Sequence, residues 1–419
     1  MISRPVIPLV VSQHAEELAL LWSVRRNLTV AGHVSLRHLA RTDQRVAAHH
    51  DGCVVAGSYG LQVAERQLAE PSTGTLFAVA VVALTMQHQE AFERCVCISD
   101  TAPIAEGLVS ALGWVPRDRL AGIGRQLLNA TSPGRRVLGL SACRLHGVNP
   151  GQSVIAAGLS DASPAIRSVA VRVAADDGQL DFVPAVSALF GDSDSNCRIW
   201  ALWSAVLLGN RGSALQALIH AGVSPGPLRE RAFRLSLQAT SVDDAHGVLQ
   251  SLARDPSDLR WLIRGSGIVG DPTYVPWLIT HMATDATARI AGEAFSLITG
   301  ADLVWLDLER KPPENVEPGP NDDPDDPNVE MDPDDGLPWP DPEPIKDWWD
   351  KNSARFQPGT RYFMGAPVTR DHCIDVLKNG YQRQRILAAH YLCLLEPGTP
   401  LFNTSAPAWR QQRLLAGMK

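Results

Sequence analysis

The sequence predicts an all-α chain: a right-handed α-solenoid of about ten helical-hairpin repeats, interrupted by one acidic, proline-rich insertion before the last repeat. Three observations predict it. An apolar residue just before a polar turn recurs about every 30 residues, at Leu39, Leu68, Ile98, Leu128, Leu159, Leu189, Leu218, Leu252 and Met282, and once more at Leu377. An arginine recurs early in the second helix of these units, at Arg45, Arg136, Arg167, Arg198, Arg231, Arg260, Arg289 and Arg385. Finally, no single unit carries enough apolar surface to fold alone, so neighbours must stack to bury a continuous core.

The bulk properties fit such a chain. A length of 419 residues allows two to three globular domains or one long array. Hydrophobic residues at 45% and charged residues at 20% are ordinary for a protein with a real core. A net charge of −7 gives no general attraction to nucleic acid or an anionic membrane. The 7 cysteines are odd in number and scattered, which reads as small buried residues in a reducing compartment. The N-terminal stretch meets charged residues before any cleavage-like site, and the longest apolar run, 77–86, is about half a membrane span. A cytoplasmic location is expected.

Residues 1–308 are read as the main array. The unit at 266–300 shows the pattern most plainly, with apolar helical runs at 275–282 and 288–298 around a turn containing Thr284 and Asp285. In other units Asp and Ser suit the helix entry, Pro its first turn, and Gly209 or Gly300 the exit, where positive φ costs glycine little. An Asp lies shortly upstream of the Arg in five units, at Asp43, Asp161, Asp192, Asp255 and Asp285. Stacking would turn these into a ladder of Asp–Arg contacts between neighbouring turns. Arg136, Arg167, Arg198, Arg260, Arg289 and Arg385 are the expected structural rungs.

Residues 309–366 form the insertion. Its first 42 positions hold 15 acidic residues, 3 basic residues and 11 prolines, which excludes regular helix and predicts extended chain in the first half. This stretch carries −12, so the rest of the chain is +5 (−7 + 12). A solvated spacer, an element docking on a partner or a basic groove, and a calcium loop at 322–326 all compete for it, the last lacking the glycine and distal Glu of an EF-hand. The aromatic second half should fold beside the last repeat, and Trp339, Trp348, Trp349, Arg361 and Tyr362 are its candidate partner-binding residues. Residues 367–419 supply the final hairpin, capped at Thr369, and a polar-faced terminal cap from Ala406.

Catalytic and cofactor patterns were sought along the chain. Gly265, Gly267 and Gly270 match G-x-G-x-x-G, but a helical run precedes them and Asp271-Pro272 follows, so they read as the turn between two units. His33, His38, His49 and His50 with Asp51 lack the spacing of a helical zinc site. Cys95 and Cys97 form a weak C-x-C. No catalytic residue, metal or cofactor is expected, and the chain is expected not to be an enzyme.

The early Arg of the second helix and turns such as GIVGDPTYVPWLI resemble HEAT and HEAT-like repeats. The blocks GDPTYVPWLITHM, ARIAGEAFSLITGADL, LPWPDPEPIKDWW, RFQPGTRYFMGAPV and FNTSAPAWRQQ resemble an uncharacterised bacterial HEAT-like family often encoded beside type VI secretion genes. That resemblance implies a cytoplasmic, non-enzymatic adaptor or chaperone-like scaffold for a secreted effector or spike protein, with no nucleic-acid or membrane partner. The alternatives are a HEAT-like enzyme of the bilin-lyase type, with Cys95 or Cys97 as the only candidate nucleophiles, and a nucleic-acid-binding HEAT-like protein.

Overall fold

The structure, a computed structural model, describes residues 6–101, 104–314 and 332–418. The first half of the insertion, with the acidic run 322–326, lies outside the described residues. The described chain is mostly helical. Its helices are α1 (Pro8–Leu28), α2 (Leu36–Val55), α3 (Ser58–Arg66), α4 (Thr73–Met86), α5 (Gln89–Thr101), α6 (Ala105–Trp114), α7 (Ile123–Leu128) and α8 (Pro133–His146). Next come α9 (Gln152–Leu159), α10 (Pro164–Asp176), α11 (Val183–Ser187), α12 (Ser195–Leu207), α13 (Ser213–Val223), α14 (Arg229–Ala239), α15 (Val242–Leu252) and α16 (Leu259–Val269). The last are α17 (Val275–His281), α18 (Asp285–Thr299), α19 (Pro342–Asn352), α20 (Arg370–Asn379), α21 (Gln382–Leu395) and α22 (Ala408–Ala416). One two-stranded hairpin, β1 (Tyr362–Phe363) against β2 (Ala366–Pro367), is the only sheet among the described residues. None of the described helices is long and apolar enough to cross a membrane.

The chain divides into two compact units. The first comprises Met1–Val30, Val34–Ser204 and Gly398–Met418; the second comprises Ala31–His33 and Ala205–Pro397.

In the first unit α1, α4, α6, α8 and α10 form a row, each packed on the next, while α5, α7 and α9 each pair with a member of that row. Its centre is α4, where every residue from Gly74 to Leu84 except Thr75 is buried. A helix that is apolar all round can only be a core helix. Trp22, Phe77, Trp114 and Trp409 then run as a chain of rings, with centroids 5.6, 5.9 and 4.7 Å apart.

The C-terminal residues do not end the last hairpin, as the sequence suggested. They join the first unit, where α22 packs on α2. The cause is a buried ion pair: Arg25 Nε lies 2.5 Å from Asp43, whose Oδ2 accepts the Ala408 N–H at the start of α22 at 2.6 Å. Arg25 also donates to the carbonyls of Ser405 and Ala406. A carboxylate at a helix N-terminus meets both its unpaired donors and its dipole.

In the second unit α13–α14, α15–α16 and α17–α18 are hairpins, and α14, α16 and α18 pack in a row. Helix α21 pairs with α20 and lies on α14, and α19 lies on α17. Helix α19 corrects the expectation of no regular helix in 309–350: its prolines fall in the first turn, where no N–H is needed, and Asp341 caps it by accepting the Glu343 N–H at 3.3 Å. The β-hairpin is fixed to the end of α18, where Met364 and Gly365 donate to the carbonyls of Leu297 and Ile298.

The glycine string corrects its sequence reading. Gly265 and Gly267 lie inside α16, and only Gly270, at φ 76°, is in the turn. A Cβ at Gly267 would come 2.8 Å from the Ala294 backbone of α18, so this glycine serves close helix packing.

Candidate functional site

Turn aspartates organise the first unit. Asp161 Oδ1 accepts the Ser163 N–H at 2.8 Å, closing its own turn, while Oδ2 takes Arg136 at 2.5 Å. The Asp161 carbonyl accepts Arg167 at 2.8 Å. Asp192 repeats all three contacts: with the Asp194 N–H, with Arg167 in a two-pronged pair at 2.7 and 2.8 Å, and through its carbonyl with Arg198 at 2.5 Å. Each Asp thus receives the Arg of the preceding unit and of its own. Hydrogen bonds from Arg167 hold the Asp192 carboxyl well below its usual value. At Asp161 burial works the other way, but the Ser163 amide and Arg136 outweigh it.

In the second unit the insertion supplies the same chemistry. Asp332 Oδ1 accepts the Asp334 N–H at 2.9 Å, the same turn as at Asp161, and its Oδ2 pairs with Arg289. Arg289 also donates to the Asp334 carbonyl at 3.1 Å, Arg260 pairs with the Asp334 carboxylate at 2.8 Å, and Arg383 donates to the Pro333 carbonyl at 2.7 Å. The Asp332-Pro333-Asp334 stretch is therefore held by three arginines from α16, α18 and α21.

The remaining sequence pairs fall elsewhere. Asp285 pairs with Arg310 at 2.6 Å, Asp255 closes its own turn on the Ser257 N–H, and Asp43 pairs with Arg25. Arg385 is fully buried and donates to the Leu377 carbonyl at 2.8 Å and to Gln382, and burial pulls it down to about 10.

The five candidate partner-binding residues are engaged within the second unit. Trp339 is buried, with the guanidinium carbons of Arg289 and Arg310 4.6 and 5.4 Å from its ring centroid. Trp348 meets Phe295 edge to face at 5.6 Å, and Trp349 lies 5.4 Å from Phe356. Arg361 caps the end of α14 through the carbonyls of Gln238 and Thr240. The Tyr362 hydroxyl accepts the Gln357 N–H at 3.0 Å, and its backbone N–H reaches Gly270 at 2.8 Å.

A different aromatic faces solvent. Trp305 is 85% exposed, flanked by Val304 at 56% and Leu306 at 40%. The turn beneath is ordered: Asp302 accepts the Trp305 and Leu306 N–H groups, and buried Leu303 and Leu308 anchor both ends. Sequence reasoning missed it, although an L-V-W-L run just after the Gly300 helix end, too short to be a helix, was the available signal.

Other candidates carry less chemistry. A groove at the α4–α5 turn opens into a cavity of about 420 Å³ lined by Gln87, His88, Glu93, Arg119 and Arg135. Cys97 is exposed on an adjoining, more open depression, whereas Cys95 is buried and its thiol is pushed up to about 12, so it stays protonated. His14 and His49 meet at 3.2 Å, His50 reaches Thr85 at 2.9 Å, and His33 reaches the Asp335 carbonyl at 3.1 Å. Among the described residues no group of three His, Cys, Asp or Glu could hold a metal ion. The class the described chain defines is that of helical-hairpin proteins tied by Asp–Arg turns. Comparison with family models, curated proteins and solved structures gives no match.

Proposed function

We propose that the chain is a non-enzymatic protein-binding scaffold of HEAT-like hairpins, stacked as an α-solenoid and working in the cytoplasm. The observation that carries the binding role is the Val304-Trp305-Leu306 turn. An ordered turn that turns a Trp and two aliphatic side chains to water spends no apolar surface on its own fold, and aromatic residues in such patches are typical anchors of protein interfaces. The repeated turn contact, in which Arg136 and Arg167 reach the Asp of the next unit, supports the stacked-repeat reading. The sequence resemblance suggests a type VI secretion effector or spike component as the partner.

The test is co-purification of the tagged full chain, under native expression, with the products of neighbouring genes, beside Trp305→Ser/Leu306→Ser. A partner held by the native chain and lost from the variant supports the reading. Equal recovery by both, or no partner in either, overturns it.

A further inference from the structure

The Val304-Trp305-Leu306 turn holds its indole in a fixed place. Asp302 Oδ1 accepts the Trp305 N–H at 3.1 Å, which closes the near end. The Leu308 N–H returns to the Leu303 carbonyl at 2.8 Å and the Asp307 N–H to that of Val304 at 3.3 Å, which closes the far end with Asp307 at φ 55°. A glycine would take that φ most cheaply; an aspartate there keeps a carboxylate at the rim. The exposed residues of 302–309 hold three carboxylates, on Asp302, Asp307 and Glu309, and no cation. Arg310, next in the chain, is engaged by Asp285 and the Trp339 ring, and Lys311 forms no ion pair with the three among the described residues.

Other indoles of the second unit show what such a ring and carboxylate take between them. Arg229 stands 4.2 Å from the Trp261 ring centroid and pairs with Asp258 at 2.7 Å. Arg310 lies over Trp339 and pairs with Asp285, and Arg289 lies over the same ring and pairs with Asp332. Each time a guanidinium joins an indole to a carboxylate. Asp258 stands three residues before Trp261, as Asp302 stands three before Trp305. Trp305 has the ring and the carboxylates, but among the described residues no guanidinium covers it. The stretch 315–331 contains no Lys, Arg or His that could supply a cation.

We propose that the 302–309 turn seats an arginine from a basic segment of the protein partner. The incoming guanidinium stacks on Trp305 and pairs with Asp302 and Asp307, while Val304 and Leu306 meet apolar residues beside it. Arginine is favoured over lysine because its planar group stacks on an indole and pairs with a carboxylate at once. Three carboxylates repel a phosphate backbone and an anionic bilayer, so the turn does not suit nucleic acid or an acidic membrane surface. The inference rests on the scaffold reading and names the chemistry of its partner.

The experiment is fluorine NMR of the full chain labelled with fluorotryptophan, the Trp305 signal being the one absent from Trp305→Phe. The probes are acetyl-Leu-Arg-Leu-amide and the same tripeptide with lysine or neutral citrulline at its centre. The arginine peptide should shift the Trp305 signal saturably, the lysine peptide should bind about threefold more weakly, and the citrulline peptide should not shift it. Asp302→Asn with Asp307→Asn should weaken the arginine peptide about fivefold and flatten its salt dependence. Asparagine still caps the turn and still takes a positive φ, so the variant keeps the local fold. Asp307→Asn alone, expected to cost about twofold, decides the matter if the double variant does not fold. No shift with the arginine peptide, an equal shift with citrulline, or unchanged affinity in the variant overturns the proposal. A Trp305 signal that moves with protein concentration alone also overturns it, by placing a second copy of the chain on the turn. Co-purification that survives Asp302→Asn/Asp307→Asn but is lost on Trp305→Ser/Leu306→Ser would sink the arginine seat and leave the scaffold reading intact.

Discussion

Two regions solve one problem differently. In the first unit, Arg136 and Arg167 find their aspartates 25 residues downstream, in the turns that lead into α10 and α12. In the second unit, Arg260 and Arg289 reach 74 and 43 residues along the chain, to Asp334 and Asp332 inside the insertion. The local geometry is conserved across that change: an Asp whose Oδ1 closes a turn on the amide two residues on and whose Oδ2 accepts a guanidinium. What an arginine of this kind needs is a pre-closed aspartate turn; it need not come from the next repeat. The insertion at 309–366 supplies such a turn itself, at Asp332-Pro333-Asp334.

The sharpest way to break this comparison is Arg289→Ala. Its side chain is 11% exposed and Asp332 17%, and it also covers Trp339, so removal strands a carboxylate and uncovers a ring. The expected loss is about 3 kcal/mol by urea unfolding, with faster proteolysis near residues 332–340. Arg167→Ala should cost less, about 2 kcal/mol, because one flank of the Asp192 turn stays held by Arg198. A double cycle with Asp192→Ala should return a coupling of about 1–2 kcal/mol. If Arg167→Ala costs as much as Arg289→Ala, the borrowed rung is no more than an ordinary one.

Acid should separate the two kinds of contact. His146 is lowered to about 4 by burial and His390 to about 3, so each is neutral when folded. Their stabilisation is complete above the ordinary histidine value of about 6.5 and is lost as pH falls from there toward 4 and 3. The rung aspartates, held below the ordinary carboxyl value, contribute fully above about pH 4 and are lost only as pH falls further. Thermal midpoints should therefore begin to drop below about pH 6.5, and steepen below about 4. His390→Gln should flatten the first limb; Asp192→Asn should remove part of the second only. A single drop below pH 4 that His390→Gln leaves unchanged would contradict this ordering.

How much of this was legible in the sequence follows the reach of each interaction. The bounds of α17 and α18, their turn at Thr284, and the pairing of Arg136 and Arg167 with Asp161 and Asp192 are local, and a repeat of about 30 residues exposes them. The partners of Arg260 and Arg289 were not legible, because periodicity carries no information across an insertion. The same holds for α22, whose seat on Arg25 and Asp43 joins positions 365 residues apart. The glycine string misled for another reason: a glycine needed for helix contact and one needed for a turn read alike in a sequence.

The aromatic residues give the finest test of the contrast between chain that serves the fold and chain that does not. Trp339 was one of five residues the sequence offered for a partner contact, yet it is 8% exposed and covered by two guanidinium groups. Trp305, 34 positions earlier, is 85% exposed on a turn whose own anchors are Leu303 and Leu308. Trp339→Ala should cost about 3 kcal/mol, as a large-to-small change in a packed site does. Trp305→Ser should move stability by no more than about 0.5 kcal/mol, since it deletes no buried contact. Paired melts of the two variants read this directly. A loss above 1 kcal/mol at Trp305 would mean the indole works for the fold after all, and the case for a protein partner would lose its main support. A near-zero change leaves a large apolar side chain that the turn presents to water at no benefit to its own fold, as the proposed partner contact requires.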